Sequence, residues 1–199
     1  VSSTLNAVLD FDKKVTKIDG VICIAADVPL TVATVANKLN LPGISIHAAT
    51  LAMNKLLMKN QFQSDGISIP WYSPVNSYQH LCDLYENRKN LLILKPVDSR
   101  GSRGVIRLLN GVDLMWAYEN AIQYSPSHMV MVERFIQGPQ VSTESLMING
   151  KAYTPGFSDR NYEYLEKYSP HIIENGGQLP SKLESETKNS VYNLVEKAA

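Results

Sequence analysis

The chain has 199 residues, 44% of them hydrophobic, and 19 Lys plus Arg balance 19 Asp plus Glu. This length suits one large domain or two small ones. A protein that grips a nucleic-acid backbone usually carries a basic surplus, so the neutral charge argues against that class. We find neither a signal peptide nor an apolar run of membrane-spanning length, which predicts a soluble, cytoplasmic protein.

Cysteine and histidine spacing gives no indication of a metal site. The four His residues show no metal-ligand spacing with Cys or with each other. Cys23 and Cys82 lie within apolar segments, far apart in the chain. This pattern favours two buried free thiols over a disulfide.

The first quarter of the chain predicts a βα unit. Residues 21–26 form a continuous apolar run, which is typical of a strand buried on both faces. Asp27 and Pro29 then open a helix whose apolar stripe continues to Leu39. Such a unit belongs to an open parallel sheet, and too few strands accompany it here. We therefore expect residues before Val1 to be missing.

The middle of the chain predicts a small α+β lid. Thr50 is a plausible N-cap for a helix over residues 51–62, and a turn and strand follow over 66–72. Asn76 or Ser77 caps the next helix, a hairpin surrounds residues 94–105, and a helix begins at residues 111–113.

The last third predicts antiparallel strands and a helix. Strands over residues 129–136, 141–148 and 151–157 are indicated, the last two joined by the Asn149-Gly150 turn. A polar, Tyr-rich crossover covers 158–170, and a final helix opens at Ser181. No strand follows that helix, so we expect the chain to be truncated.

The loop between Leu94 and Val105 has the chemistry of a phosphate-binding loop. Gly101, Ser102 and Gly104 offer unhindered backbone N–H groups, and Lys95 at the loop root offers a point charge. A Walker A loop and a dinucleotide fingerprint both run into a helix, whereas this loop runs into an apolar strand. The alternative is an ordinary solvated hairpin turn.

Several segments together resemble the ATP-grasp superfamily, in the branch similar to carbamoyl-phosphate synthase large chains and ATP-dependent carboxylate–amine ligases. The resemblance covers residue 20 to the end, and its motifs occur in the family's order. They are Lys55, Gly66-Ile67-Ser68-Ile69-Pro70, Leu94-Lys95-Pro96-Val97-Asp98-Ser99-Arg100-Gly101-Ser102-Arg103-Gly104-Val105 and Val132-Glu133-Arg134-Phe135-Ile136-Gln137-Gly138-Pro139-Gln140-Val141-Ser142-Thr143-Glu144.

The resemblance implies an α/β (α+β) ATP-grasp fold in four parts. Residues 1–47 would be part of a parallel-sheet pre-ATP-grasp domain, and 48–68 a linking helix. Residues 69–131 would form the lid subdomain, and 132–199 an incomplete antiparallel-sheet subdomain.

The resemblance also implies roles for individual residues. Lys55 would reach the α-phosphate, Lys95 would bridge the α- and β-phosphates, and the Ser99–Gly104 loop would close over the triphosphate. Glu133 would accept a hydrogen bond from the adenine amine, and the backbone near Arg134 and Phe135 would read the adenine edge. Simpler alternatives are a solvated helix face for Lys55 and Lys59, and a surface ion pair with Arg134 for Glu133.

Two departures from the family pattern concern the ribose and the metal. Gln140 stands where relatives often carry a Glu that binds the ribose hydroxyls. The acidic residues that bind Mg²⁺ would follow Ala199, so we expect no metal ligand in this chain and an inactive fragment. Arg160 and residues 175–177 lie where substrate-facing loops would be, although 174–177 can equally form a plain turn.

The predicted function is an ATP- and Mg²⁺-dependent ligase that forms a carbon–nitrogen bond. It would phosphorylate a small carboxylate and let an amine attack the acyl-phosphate. The predicted partners also include a second copy of the protein, as a homodimer. The alternative is a non-catalytic or regulatory nucleotide-binding module. Nucleic-acid binding through Lys95, Arg100 and Arg103 is disfavoured, because no aromatic platform interleaves these basic residues.

Overall fold

The computed structural model describes residues 1–88 and 91–199. The chain divides into two compact units, Val1–Gln61 and Phe62–Ala199, which we describe separately. The finer four-part division predicted from the sequence stays a prediction. Among the described helices, none is both long enough and apolar enough to cross a membrane.

The first unit is helical. It contains α1 (Ser2–Lys14), α2 (Pro29–Lys38) and α3 (Ile46–Met53), while α4 (Lys55–Ser64) crosses into the second unit. Pro29 occupies the start of α2, where its missing N–H costs nothing. Small buried side chains let α2 and α3 approach closely; they are Ala33, Val35, Ala36 and Ala49.

Three predictions for the first unit are wrong. Residues 21–26 do not form a strand, because a strand needs a hydrogen-bonded neighbour and none of the described strands pairs with them. Ile22 and Ile24 are each 82% exposed, and Cys23 is exposed rather than buried. Thr50 is not an N-cap, since it lies inside α3 and Ser45 caps that helix by accepting a hydrogen bond from the Ala48 N–H at 2.9 Å.

Asn54 divides the single helix predicted over residues 51–62 into α3 and α4. Its side-chain oxygen accepts hydrogen bonds from the N–H groups of Leu56 and Leu57 at 3.0 and 3.1 Å. An Asn in this position caps a new helix N-terminus, so the chain restarts its helix at Lys55.

The second unit begins with a four-stranded antiparallel sheet backed by two helices. In chain order these are β1 (Tyr72–Val75), α5 (Tyr78–Asn87), β2 (Leu92–Pro96), β3 (Ile106–Leu108), α6 (Leu114–Gln123) and β4 (Val130–Arg134). The spatial order is β1-β4-β2-β3, so β3 is an edge strand. The predicted cap at Ser77 and the β2–β3 hairpin are confirmed, and the helix predicted to begin at residues 111–113 starts at Leu114, after its N-cap Asp113. The turn predicted near Gly66 is present, but the strand predicted to follow it by residue 72 lies later, because β1 covers Tyr72–Val75.

The two faces of this sheet differ in chemistry. One face packs on Leu81 of α5 and on Ala117 and Ala121 of α6, and the buried strand residues of this core are Val75, Leu92, Leu94, Ile106, Leu108, Val130 and Val132. Because side chains alternate along a strand, the residues between them lie on the other face. There the register places Glu133, Ile93 and Arg107 side by side across three strands.

A long hairpin and a terminal helix complete the second unit. The hairpin strands are β5 (Gln140–Ile148) and β6 (Lys151–Arg160), and the short β7 (Gly177–Gln178) pairs with β6. The predicted Asn149-Gly150 turn is confirmed, with φ of 51° and 76°. Helix α7 covers Ser185–Ala198 and starts later than predicted, because Ser181 instead donates a hydrogen bond to Asp159.

Candidate functional site

A cleft of about 240 Å³ lies at the end of β4, beside Ile93 and Lys95 of the antiparallel β2. Ile93 and Lys95 contribute one wall, and the continuous run of residues 133–140 contributes the other. The cleft therefore unites five of the residues predicted to bind ATP. They are Lys95, Glu133, Arg134, Phe135 and Gln140.

Lys95 and Glu133 form an ion pair within this cleft. Glu133 lies opposite Ile93 in the β2–β4 register, so Lys95, two residues further along β2, is its diagonal neighbour on the same face. The Glu133 side chain is 8% exposed and the Lys95 side chain 25%. Glu133 is thus a buried carboxylate that pairs with Lys95, whereas its alternative reading placed it in a surface ion pair with Arg134.

Backbone hydrogen bonds hold the start of the 133–140 run. The Arg134 N–H donates to the Trp71 carbonyl at 2.9 Å, and the Phe135 N–H donates to the Leu91 carbonyl at 2.9 Å. These two N–H groups are therefore engaged within the protein. A base in the cleft would meet the carbonyl groups of these residues and the backbone from Ile136 onward, which also lines the cleft.

The glycine-rich loop starts from a fixed root. Asp98 accepts hydrogen bonds from the Ser125 hydroxyl at 2.6 Å and from the Ser127 N–H at 3.0 Å. Further on, Gly101, Ser102 and Gly104 adopt positive φ values of 63°, 56° and 70°. Successive N–H groups in such a winding turn can converge on an anion.

The structure does not bring this loop into the cleft that contains Lys95. Ser99 is 9% exposed and lines a neighbouring cleft of about 400 Å³ together with Arg100 and Arg103. Gly101, Ser102 and Gly104 line another cleft of about 250 Å³. The predicted contact of the loop with a triphosphate therefore stays a prediction.

Arg160 lies at the end of the hairpin that carries Gln140. The two residues are direct partners in the β5–β6 register, so the residue predicted to face substrate neighbours the one predicted to face ribose. Arg160 forms an ion pair with Glu174 and donates to the Ser142 hydroxyl at 3.4 Å. Burial, and then the charge of Glu174, raise the pKa of the nearby Tyr162.

Lys55 is the first residue of α4 and belongs to the first unit, whereas the other predicted residues belong to the second. Its predicted contact with the α-phosphate stays a prediction. Within residues 1–88 and 91–199, no group of three or more His, Cys, Asp or Glu is placed to hold a metal ion.

Sequence reasoning missed Arg107 on β3. Its side chain is 3% exposed, and its guanidinium lies 4.9 Å from the centre of the Phe135 ring. The available signal was a single charged residue within the apolar segment Val105-Ile106-Arg107-Leu108-Leu109. Such an isolated charge indicates a side chain with a specific partner.

Comparison with known proteins gives the class of the fold. No family model matches the chain. The L-amino acid ligase from Bacillus licheniformis superposes with a TM-score of 0.75 at 23% identity, over 98% of this chain and 44% of that protein. The biotin carboxylase domain dimer of Hydrogenobacter thermophilus 2-oxoglutarate carboxylase was solved with MgADP, ADP and bicarbonate. It superposes with a TM-score of 0.76 at 18% identity, over 98% of this chain and 44% of that protein. The chain has the ATP-grasp fold, as its sequence motifs predicted.

Curated proteins with similar sequences include D-alanine–D-alanine ligases. The D-alanine–D-alanine ligase of Pseudomonas putida (strain GB-1) is 29% identical over 161 residues, which are 78% of this chain and 48% of the relative. The ligase of the same name from Gloeobacter violaceus is 28% identical over 141 residues, which are 66% and 46%. The chain thus spans about half the length of the curated relatives it matches.

Proposed function

We propose that this chain forms the nucleotide-binding part of an ATP-dependent ligase that joins a small carboxylate to an amine. The observation that carries the proposal is the Lys95–Glu133 pair inside a cleft walled by residues 133–140. A cation for phosphate and a carboxylate for an exocyclic amine lie side by side there, on an ATP-grasp fold. The similarity to D-alanine–D-alanine ligases supports the reaction class.

Each residue of the cleft has a distinct task in this proposal. Glu133 accepts a hydrogen bond from the adenine amine, and carbonyl groups of the Arg134–Phe135 segment flank the base. Gln140 accepts a hydrogen bond from the ribose. Lys95 offsets phosphate charge, so a bound nucleotide draws its ammonium away from Glu133.

Residues outside the cleft complete the proposed contacts. The N–H groups of the Ser99–Gly104 loop and the Lys55 ammonium are assigned to the phosphates, and Arg160 is assigned to a substrate carboxylate. Mg²⁺ would shield phosphate charge when bound with ATP. Among the described residues, no group of three or more His, Cys, Asp or Glu is placed to hold the ion.

The proposed reaction has two steps. A carboxylate oxygen of the first substrate attacks the γ-phosphorus, and the bond to the β-phosphate oxygen breaks to release ADP. The amine nitrogen of the second substrate then attacks the acyl carbon, phosphate leaves, and the amine gives up a proton. Positioning and charge neutralisation accelerate such steps more than any protein nucleophile does.

ADP release tests the proposal. The complete gene product that contains this chain would be mixed with Mg²⁺, ATP and a panel of small amino acids, offered first as the carboxylate substrate and then as the amine substrate. We expect ADP and phosphate to appear in equal amounts, and only when both substrates are present. Nucleotide binding without ADP release on any pair would instead indicate the non-catalytic module. A homodimer and a cytoplasmic location stay predictions.

A further inference from the structure

Arg107 is a buried cation just behind the wall of the proposed nucleotide cleft. It lies on the sheet face that carries Ile93 and Glu133, directly beside Ile93 in the β2–β3 register. Its guanidinium lies 4.9 Å from the centre of the Phe135 ring, and Phe135 lines the cleft. Because the Phe135 N–H is fixed to the Leu91 carbonyl, Arg107 is placed to set the orientation of the ring.

The Arg107 side chain also contacts the stretch of residues 162–173, which follows β6 and which we call the Tyr-rich segment. Its Nη1 lies 2.9 Å from a Glu166 carboxylate oxygen, and the Glu166 side chain is 78% exposed. Nη1 also lies 3.5 Å from the Leu165 carbonyl. A buried guanidinium thus holds a largely exposed carboxylate onto the sheet.

Backbone and ring contacts fasten this segment along the edge of the sheet. The Arg107 N–H donates to the Pro170 carbonyl at 2.9 Å, and Ile106 bridges to His171. The Trp116 and His171 rings meet edge to face at 5.7 Å. Because β3 is an edge strand, the segment covers backbone groups that would otherwise be open to pairing.

Arg107 has few partners for a buried charge. Its Nε is buried and has no hydrogen-bond partner among the described residues. Burying a guanidinium is costly unless its donors are satisfied, so packing alone would be served better by an apolar residue. This imbalance favours a role that needs the cation itself.

We propose that Arg107 is a positioning residue that links the cleft to the Tyr-rich segment. It orients Phe135 for the adenine base and, through Glu166, fastens residues 162–173 against β3. Nucleotide binding and ordering of the segment therefore favour each other, since coupling between two sites is reciprocal. This inference rests on the proposed function, because it assumes that the cleft holds an adenine nucleotide.

Titration of AMP, ADP and a non-hydrolysable ATP analogue tests the link. Arg107→Met should lower the affinity for all three nucleotides by the same factor, about threefold to tenfold, because the contact it removes supports the part of the cleft that binds the base. A variant that disturbs phosphate contacts, such as Lys95→Ala, should instead lose more affinity as phosphates are added. Glu166→Gln should lower the affinity for all three nucleotides about threefold. Glu196→Gln, at an exposed position on α7, is the matched control and should bind like the wild type.

Hydrogen exchange on the same proteins supplies a second measurement. Nucleotide should slow exchange over residues 162–173 in the wild type and in Glu196→Gln, and this slowing should be lost in Glu166→Gln. Because Glu166 is exposed, Glu166→Gln should fold even if Arg107→Met does not, and it then tests the link by itself. The link is wrong if the wild type binds nucleotide and Glu166→Gln keeps both the wild-type affinity and the slowed exchange over residues 162–173. That result would leave the proposed function standing. A wild type that binds no adenine nucleotide would overturn the proposed function as well.

Discussion

The Lys95–Glu133 pair shows how two strand positions can prepare a site before a ligand arrives. The Lys95 ammonium lies against the buried Glu133 carboxylate near the end of β4. Removing one partner of a buried pair leaves the other charge without compensation, which costs more than the pair contributes. Substitution of either residue would therefore leave the other charge unpaired, so the free energy of unfolding of a Lys95 or Glu133 variant should be measured beside its nucleotide affinity.

Asp159 illustrates a residue whose charge supports the fold away from the cleft. It accepts hydrogen bonds from the Ser181 hydroxyl at 2.5 Å and from the Lys182 N–H at 2.9 Å. The Ser181 hydrogen bond, followed by the one from Lys182, lowers the pKa of Asp159 below its ordinary value of 3.8. The carboxylate thereby ties the end of β6 to the segment that leads into α7.

We expect Asp159→Asn to reduce the free energy of unfolding at pH 7. A group whose folded pKa is lowered stabilises the fold fully above its ordinary pKa, and this contribution disappears as the pH falls through the lowered value. The difference between wild type and variant should therefore be constant from neutral pH down to about 5 and shrink below about 4. Urea unfolding across this range measures it, and a difference independent of pH would contradict the assignment.

At the scale of elements, the β2–β3 hairpin depends on a glycine that no larger residue can replace. Gly104 has φ of 70°, and a Cβ built there would lie 2.8 Å from Pro96 Cγ and 3.1 Å from Tyr124 Cβ. Gly101 has a similar φ of 63°, but its Cβ would meet no atom within 4 Å. The two positions differ in surroundings and share a backbone conformation, so they form a matched pair.

We expect Gly104→Ala to destabilise the protein more than Gly101→Ala. Both variants place a Cβ in the left-handed region, at a cost of about 1–2 kcal/mol. Gly104→Ala adds overpacking against Pro96 and Tyr124, at about 1–3 kcal/mol more. Chemical denaturation of the two variants measures the difference. Equal unfolding free energies would show that the neighbours of Gly104 yield without cost.

At the scale of the whole molecule, the sequence predicted the elements that local chemistry specifies. The β2–β3 hairpin, the cap at Ser77 and the Asn149-Gly150 turn each depend on residues close together in the chain. The strand over 21–26 was wrong because a short apolar run is compatible with several structures, and only a pairing partner selects a strand.

The sequence predicted five residues of the cleft but not how they are held. Glu133 was assigned through the family resemblance, while its burial and its pairing with Lys95 depend on the β2–β4 register. Arg107 was missed for the same reason, because its neighbours Phe135 and Glu166 are remote in sequence. Register and long-range contacts are properties of the folded chain, so residue spacing alone does not show them.

The central claim is that the cleft at Lys95 binds an adenine nucleotide through its phosphates. Calorimetric titration of a non-hydrolysable ATP analogue into the wild type, Lys95→Ala and Lys151→Ala tests it most directly, with Lys151 at the β5–β6 turn as the matched lysine. We predict that Lys95→Ala loses roughly 3 kcal/mol of binding free energy, about a hundredfold in affinity, while Lys151→Ala binds like the wild type. Affinities within twofold of each other in all three proteins would contradict the account.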